Sequence, residues 1–234
     1  MNKSREITSA LENVPFNKLI FASQFYQKNF LNTVSADSFF KTLERLCKAG
    51  KLCRISKGTY CRPKIGKYGA IPPSAREITE DFTKDRTGTV VGYNLYNRLG
   101  LTTQVSKRID VLSSQINQRT KSIGDVHITQ IKIEFSKNNK IAIHMLEVLK
   151  DFDTIQDINY AAFERYCQKF SLQYCDEATQ YVLKNIKYQK RTISFLHEIL
   201  SFYHIPNTLS AHLSVLSDYK HPSMEAIYEA AYAS

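Results

Sequence analysis

The strongest hydrophobic periodicity in the chain lies between Ser35 and Gly50. Its apolar positions recur at the spacing of one helix face: Phe39, Leu43, Leu46 and Cys47. We predict that the helix begins after the capping residue Ser35 and ends at Gly50, since glycine adopts the left-handed cap conformation at little cost. The opposite face carries cations and hydroxyls without an acid: Ser38, Lys41, Thr42, Arg45 and Lys48.

Two short strands are predicted directly after this helix, over 52–55 and 59–61. The intervening Ser56-Lys57-Gly58 has turn chemistry, and Pro63 ends the second strand. A helix with a basic face followed by a small ribbon is typical of a winged helix-turn-helix. In that fold the helix enters the DNA major groove and the wing contacts the adjacent backbone.

The remaining pattern predicts an α+β, mostly helical fold in three segments. Residues 1–66 form the winged helix-turn-helix, with further helices over 3–12 and 19–26 and a short extra strand over 16–18 that pairs with the wing. Residues 67–137 form a small α/β middle segment, reached through a connector over 64–73. Within it we predict a helix over 77–82 and helical spacing over 90–99. We also predict strands over 108–112 and 124–135, the second with a break near Gln130. Residues 138–234 form a helical C-terminal region, with helices predicted over 141–150, 160–170, 175–186, 192–203, 209–216 and 224–231.

Composition and cysteine usage predict a cytoplasmic protein. The hydrophobic content of 43% supports a buried core, no apolar run reaches the ~20 residues of a membrane span, and the N-terminus lacks the apolar region of a signal peptide. The five cysteines are an odd number without a C-x-x-C pair. We therefore expect neither a disulfide framework nor a zinc site.

The positive charge is concentrated at the N-terminus. Residues 1–64 hold twelve Lys and Arg against four acids, a net charge of +8 out of +10 for the chain. Because this excess coincides with the predicted winged helix, a polyanion is the expected partner.

No catalytic or metal motif is recognisable. His197 and His204 lack the i, i+4 spacing of zinc ligands on a helix. Asp151 and Asp153 resemble the paired carboxylates of a divalent-ion site, but their position after a helix favours capping. The chain has no phosphate-binding glycine loop and no nucleophile elbow. We predict a binding protein without a cofactor, not an enzyme.

Several stretches together resemble the N-terminal region of AbiEi-type antitoxins, from bacterial type IV toxin–antitoxin (abortive infection) systems. They are FASQF at 21–25, Ser35 with FFKTLERL at 39–46, GKLCRISKGTYCRP at 50–63, and the segment 88–106 containing GYNLYNRLGLTTQVS. The resemblance covers roughly 20–135. It implies a winged-helix domain that binds inverted repeats in its own promoter and represses the operon. It also implies that 67–234 counteracts a nucleotidyltransferase-like toxin without forming a stable complex, as part of phage defence.

The predicted DNA-binding residues fall into two groups. For base edges in the major groove we select Ser38, Lys41, Thr42 and Arg45, with Arg45 the candidate for a bidentate guanine contact. For phosphates we select Lys48, Lys51, Arg54, Lys57 and Arg62.

Two other functions remain open from the sequence. One is a winged-helix transcriptional regulator whose C-terminal part senses a ligand or dimerises. The other is an RNA-acting protein that uses the basic run at 184–191, KNIKYQKR.

Overall fold

The computed structural model describes residues 3–214 and 218–233. The architecture is α+β and mostly helical, as predicted. The chain divides into two compact units, the first reaching Asp81 and including Ser122–Val126, the second comprising Phe82–Lys121 and the residues from His127 onward. The boundaries expected at 66 and 137 therefore differ from this division, which keeps the residues up to Asp81 with the N-terminal unit.

The first unit begins with three helices and a three-stranded antiparallel sheet. In chain order the elements are α1 (Lys3–Glu12), β1 (Ile20–Phe21), α2 (Ala22–Asn29), α3 (Ala36–Lys48), β2 (Cys53–Ser56) and β3 (Thr59–Cys61). The sheet order is β1-β3-β2. We call the β2–β3 hairpin the wing, after the element predicted from the sequence.

The chain before α2 differs from the sequence prediction. Phe16 forms only an isolated bridge with Arg62. The strand that pairs with the wing is instead Ile20–Phe21, opposite Tyr60 and Thr59. Because these two residues are extended, α2 begins at Ala22, later than the predicted position 19.

An aromatic cluster around Phe39 holds α2 against α3. Phe39 is fully buried, and its ring centroid lies 5.3 Å from that of Tyr26 and 5.7 Å from that of Phe30. Leu43 and Leu46 continue the same buried stripe, and Ile7 and Leu11 of α1 belong to the same core. The predicted apolar face of α3 is therefore confirmed, and it fixes which face of the helix is exposed.

Residues 64–73 were wrongly predicted as a connector. They contain a second antiparallel hairpin, β4 (Lys64–Gly66) and β5 (Gly69–Ile71), and α4 (Ala75–Thr83) follows. Glycines at 66 and 69 had indicated a loop, whereas here they flank a tight turn in which Gly69 has φ +116°. The added Cβ of any other residue at 66 would collide with Ile71, which packs across the hairpin.

The second unit contains most of a four-stranded sheet of order β6-β7-β9-β8, apart from Ser122–Val126. Its strands and the helix between the first two are β6 (Gly88–Val91), α5 (Tyr93–Arg98), β7 (Ile109–Ser113), β8 (Thr120–Ile123) and β9 (Val126–Gln130). The strand predicted over 124–135 is found only over Val126–Gln130: it ends at the expected break, 131–135 form no strand, and β8 was not predicted. The helical spacing over 90–99 was partly wrong: Val90 and Val91 pair with β7 as a strand, and the helix begins only after Gly92, which has φ +66°.

The C-terminal helices of this unit agree with the predictions within a few residues. They are α6 (Lys137–Asp151), α7 (Tyr160–Ser171), α8 (Asp176–Asn185), α9 (Lys190–Phe202) and α10 (Met224–Tyr232), with 3-10 turns at Phe152–Thr154 and Leu209–His212. The end of the segment predicted over 209–216 lies outside the described residues. Among the helices that the structure describes, none has the length and apolar character needed to cross a membrane.

Candidate nucleic-acid interface

The exposed face of α3 presents the polar residues predicted from the sequence, with one exception. The helix starts cleanly because the Ser35 side chain accepts a hydrogen bond from the Ser38 backbone N–H. Lys41, Arg45 and Lys48 are exposed, and Ser38 is half-buried. Lys41 and Lys48 make no hydrogen bond or ion pair with any residue that the structure describes, so both ammonium groups are free to meet an anion.

Thr42 is the exception, and its assignment to the major groove is wrong. The side chain is only 5% exposed. Its hydroxyl donates to the Ser38 backbone carbonyl at 2.8 Å. The helical wheel places Thr42 beside Lys41 and Arg45, but the side chain is buried at the base of the groove that these residues line with Ser4.

Arg45 is braced by α1. One of its terminal nitrogens, Nη2, donates to the Ser4 hydroxyl. The two residues line two adjoining grooves between α1 and α3, of about 510 and 460 Å³. A guanidinium has five donors, so the contact with Ser4 orients the group and leaves donors for a second partner.

The wing contributes two further free cations. Arg54 and Lys57 are both exposed, and neither forms a hydrogen bond or ion pair within the described part of the chain. Lys57 lies in the tight turn, next to Gly58 at φ +70°. The strand register shifts between Arg54 and Ser56, which is a bulge that increases the local twist.

The remaining two cations predicted to contact phosphate are engaged with α1. Lys51 forms an exposed ion pair with Glu12, with 3.4 Å between Nζ and Oε1. Such a pair is weak and exchanges readily with another anion. Arg62 is different: its Nη1 donates to the backbone carbonyls of Glu12 and Val14, and its guanidinium lies 4.4 Å from the centroid of the Phe16 ring. Nη1 of Arg62 is therefore committed to the chain at the end of α1, which gives the residue a structural role, and its contact with phosphate stays a prediction.

The sequence analysis also missed residues on this surface. From α1, Arg5 and Ser9 line the groove beside Arg45. On α3, Glu44 and Phe40 are exposed close to Lys41 and Lys48. The signal for Arg5 and Ser9 was present in the sequence, since they are spaced at i, i+4 on the helix face opposite Ile7 and Leu11.

Three cysteines of this unit, Cys47, Cys53 and Cys61, lie on α3 and the wing. Cys53 and Cys61 are opposite each other on β2 and β3. Burial, followed by the proximity of Cys53, raises the pKa of Cys61 to about 12, and burial also raises the pKa of Cys47. No group of three or more His, Cys, Asp or Glu residues suited to a metal ion occurs in ranges 3–214 and 218–233.

In the second unit the carboxylates considered for divalent ions are engaged by protein groups. Asp151 accepts a hydrogen bond of 2.7 Å from the Tyr96 hydroxyl, and Asp153 pairs with Arg191. Nearby, the buried Glu147 accepts from Tyr188 at 2.9 Å. Since Arg191 also donates to the Lys220 carbonyl, the basic run at 184–191 is reduced to the exposed Lys184, Lys187 and Lys190.

Comparisons with known proteins place the chain in a family. No curated protein matches it. Among solved structures, the crystal structure of the RV2827C protein from Mycobacterium tuberculosis is similar, with 12% identity, coverage of 87% of this chain and 77% of that chain, and a TM-score of 0.44. A family model matches residues 15–160, more than half of the chain. The chain therefore belongs to the family of unknown function DUF6088.

Proposed function

We propose that this protein binds double-stranded promoter DNA through α3 and the wing of its first unit. One observation carries the proposal: Lys41, Lys48, Arg54 and Lys57 are exposed on these two adjacent elements, and none of them has an ion-pair partner among the described residues. Unpaired cations repel one another across such a surface, and a polyanion relieves that repulsion. The concentration of net charge in residues 1–64 supports the same ligand.

The contacts divide by chemistry. Ser38, Lys41 and Arg45 are proposed to reach base edges, with the donors that Arg45 does not use on Ser4 directed to guanine. Lys48, Lys51, Arg54 and Lys57 are proposed to bind phosphates, with Lys51 exchanging Glu12 for the DNA backbone. α3 also exposes two acids, Asp37 and Glu44, and a carboxylate on this face favours cytosine N4 over phosphate.

The test uses fluorescence anisotropy with a labelled duplex from upstream of the protein's own gene, and a scrambled duplex. Arg45→Ala is expected to weaken specific binding by about 1–3 kcal/mol and to reduce discrimination between the duplexes. Lys57→Ala is expected to weaken both alike and to reduce the slope of log affinity against log salt by about 1. Thr42→Val, on the same helix but buried, is the matched control and should bind as the unmodified protein does.

The DNA proposal fails if neither duplex binds, or if Arg45→Ala and Lys57→Ala both keep the original affinity and salt slope. If Thr42→Val weakens binding as much as Arg45→Ala does, the face of α3 that we assign to the DNA is the wrong one.

We further propose that the protein is the antitoxin of a type IV system and acts in the cytoplasm. Support comes from the resemblance of 21–63 and 88–106 to AbiEi-type antitoxins. On this proposal the protein opposes a nucleotidyltransferase-like toxin by binding, without catalysis and without a stable complex, and represses its own operon.

Rescue of growth tests the antitoxin proposal. A nucleotidyltransferase-like gene beside this one would be induced together with the full-length protein or with its Arg45→Ala/Lys57→Ala double variant. Growth should be restored by both, because the DNA contacts and the antitoxin activity are proposed to be separate. Failure of both proteins to rescue would leave a winged-helix regulator with a ligand-sensing or dimerising C-terminal part.

A further inference from the structure

The β4–β5 hairpin exposes large apolar side chains on both of its faces. Tyr68, in the turn, is 95% exposed, Ile65 is 72% exposed and Ile71 is 52% exposed. The Tyr68 hydroxyl has no hydrogen-bond partner in the described part of the chain. Exposed apolar groups concentrated on so short an element indicate a binding surface.

The base of the hairpin is fixed to the rest of the first unit. The Glu77 carboxylate accepts from the Ser74 N–H at 2.8 Å, from Lys64 Nζ at 3.0 Å and from Asn17 Nδ2 at 3.3 Å. These bonds, led by that from the Ser74 backbone, lower the pKa of Glu77 to about 2. The Asn17 side chain also accepts from the Lys64 N–H, so the exposed tip projects from a well-bonded base.

The turn of the hairpin offers one free cation beside its exposed aromatic ring. Of the four cations in residues 62–76, Arg62 is bound at the end of α1, Lys64 pairs with Glu77 and Arg76 pairs with Glu80, which leaves Lys67 without an ion pair among the described residues. Lys67 is exposed in the turn, and its ammonium lies 5.6 Å from the centroid of the Tyr68 ring. A protein partner would need an acidic surface and an apolar one together, whereas a nucleic acid combines phosphates with flat apolar base and sugar surfaces.

We propose that the β4–β5 hairpin is a second DNA contact, with Lys67 on a phosphate and Tyr68 in the minor groove. This inference rests on the proposed function. Because α3 is assigned to the major groove, a projection elsewhere on the same unit meets the flanking backbone and the adjacent minor groove. The hairpin begins at Lys64, shortly after β3 of the wing ends at Cys61, so the two hairpins follow each other directly in the chain. Minor-groove proteins use this combination of a cation and an apolar side chain.

The absence of tryptophan from the chain allows a direct test. Tyr68→Trp places a single indole at the tip, and acrylamide quenching of its fluorescence is measured with and without the promoter duplex. We expect the duplex to protect the indole at position 68. Tyr228→Trp is the matched control: Tyr228 is also exposed, but α10 carries Glu225 and Glu229 and no cation, so no protection is expected there.

Affinity measurements with the full chain complete the test. Tyr68→Ala should weaken binding of the duplex roughly tenfold, in line with the loss of an aromatic contact with nucleic acid. Lys67→Ala should weaken it less and reduce the salt slope by about 1.

The possible contrary results are distinguishable. An indole at position 68 that stays equally quenchable while anisotropy reports bound DNA, with Tyr68→Ala binding normally, overturns this inference and leaves the proposed function intact. Protection that rises with protein concentration in the absence of DNA identifies a second copy as the ligand and overturns it as well. If the protein binds no duplex at all, the proposed function and this inference are both overturned.

Discussion

Replacement of Arg62 by alanine distinguishes a structural cation from a DNA-binding one. Arg62 binds the end of α1: it donates to the carbonyls of Glu12 and Val14, which the helix itself leaves unpaired, and lies over the Phe16 ring. Its own carbonyl accepts from Asn17 N–H at 2.7 Å, a bond that the substitution preserves. The variant therefore removes the side-chain contacts alone.

The expected loss of stability follows from these contacts. A hydrogen bond involving a charged group contributes about 1.5–3 kcal/mol. A cation over an aromatic ring contributes about 0.5–1 kcal/mol at an exposed site, and Phe16 is 56% exposed. Arg62 is half-buried, and water can hydrogen-bond to the two carbonyls once its side chain is removed. The expected loss in free energy of unfolding is therefore smaller than the sum of these contributions, about 2–3 kcal/mol. This is a large share of the stability of a small domain.

A thiol provides a probe local to the first unit. Cys61 is fully buried next to Arg62, so it reacts with a thiol reagent only when this unit opens. Its labelling at increasing urea concentration, read by peptide mass spectrometry, gives the unfolding free energy of the unit. Arg62→Ala should shift labelling to lower urea without changing the salt slope of DNA binding in the folded protein.

Arg54→Ala is the matched control, since Arg54 is an exposed cation without an ion-pair partner among the described residues. It should change stability by no more than about 0.5 kcal/mol and reduce the salt slope by about 1. The argument is refuted if Arg62→Ala unfolds at the original urea concentration and lowers the salt slope instead.

Two predictions concern the second unit. Burial, with Arg98 and Lys140 nearby, lowers the pKa of His144 from 6.5 to about 4. Between pH 6.5 and pH 4 the imidazole is therefore protonated in the unfolded chain but not in the folded one. Lowering the pH from 7.5 to 5 should for this reason reduce the free energy of unfolding by about 2 kcal/mol. Urea titrations at both pH values check this, and His144→Gln should remove that part of the pH dependence; an unchanged dependence would contradict it. Gly88→Ala should destabilise by about 3 kcal/mol or more in thermal unfolding, because the new Cβ collides with the Phe82 backbone carbonyl, whereas Gly124→Ala, with open space and φ +56°, should cost only about 1 kcal/mol; similar losses for both would contradict the collision.

The sequence predicted the bounds of a helix correctly where the periodicity and the capping residues lie within that one helix. The helix at Lys3–Glu12 and the α3 boundaries follow from periodicity and caps within ten to fifteen residues. The prediction failed for short apolar pairs. Val90 and Val91 fit a helical spacing as well as a strand, and only pairing with β7 decides between them. The β4–β5 hairpin was missed because glycines are equally common in loops and in tight hairpin turns.

At the candidate site, the sequence analysis misjudged residues whose surroundings depend on segments distant in the chain. The helical wheel of α3 gives the angle of Thr42 correctly but contains no information on the groove that this residue lines together with Ser4 of α1. Arg62 and the carbonyls that it binds are separated by about fifty residues of sequence, and a cation near a wing resembles a phosphate contact until its acceptors are known.

The first helix determines which polar residues of this unit are available to a ligand. Arg62 is held by the carbonyls of Glu12 and Val14 at its end, Lys51 pairs weakly with Glu12, and Arg45 is oriented by Ser4. Of the cations selected from the sequence, those with no hydrogen bond or ion pair to α1 among the described residues are Lys41, Lys48, Arg54 and Lys57. Since a fixed scaffold limits the entropy lost when a side chain binds, the contacts with α1 make Arg45 the pre-oriented member of the set. Sequence discrimination is therefore proposed to depend on α1 as well as on α3, although α1 supplies none of the residues selected from the sequence for base contacts.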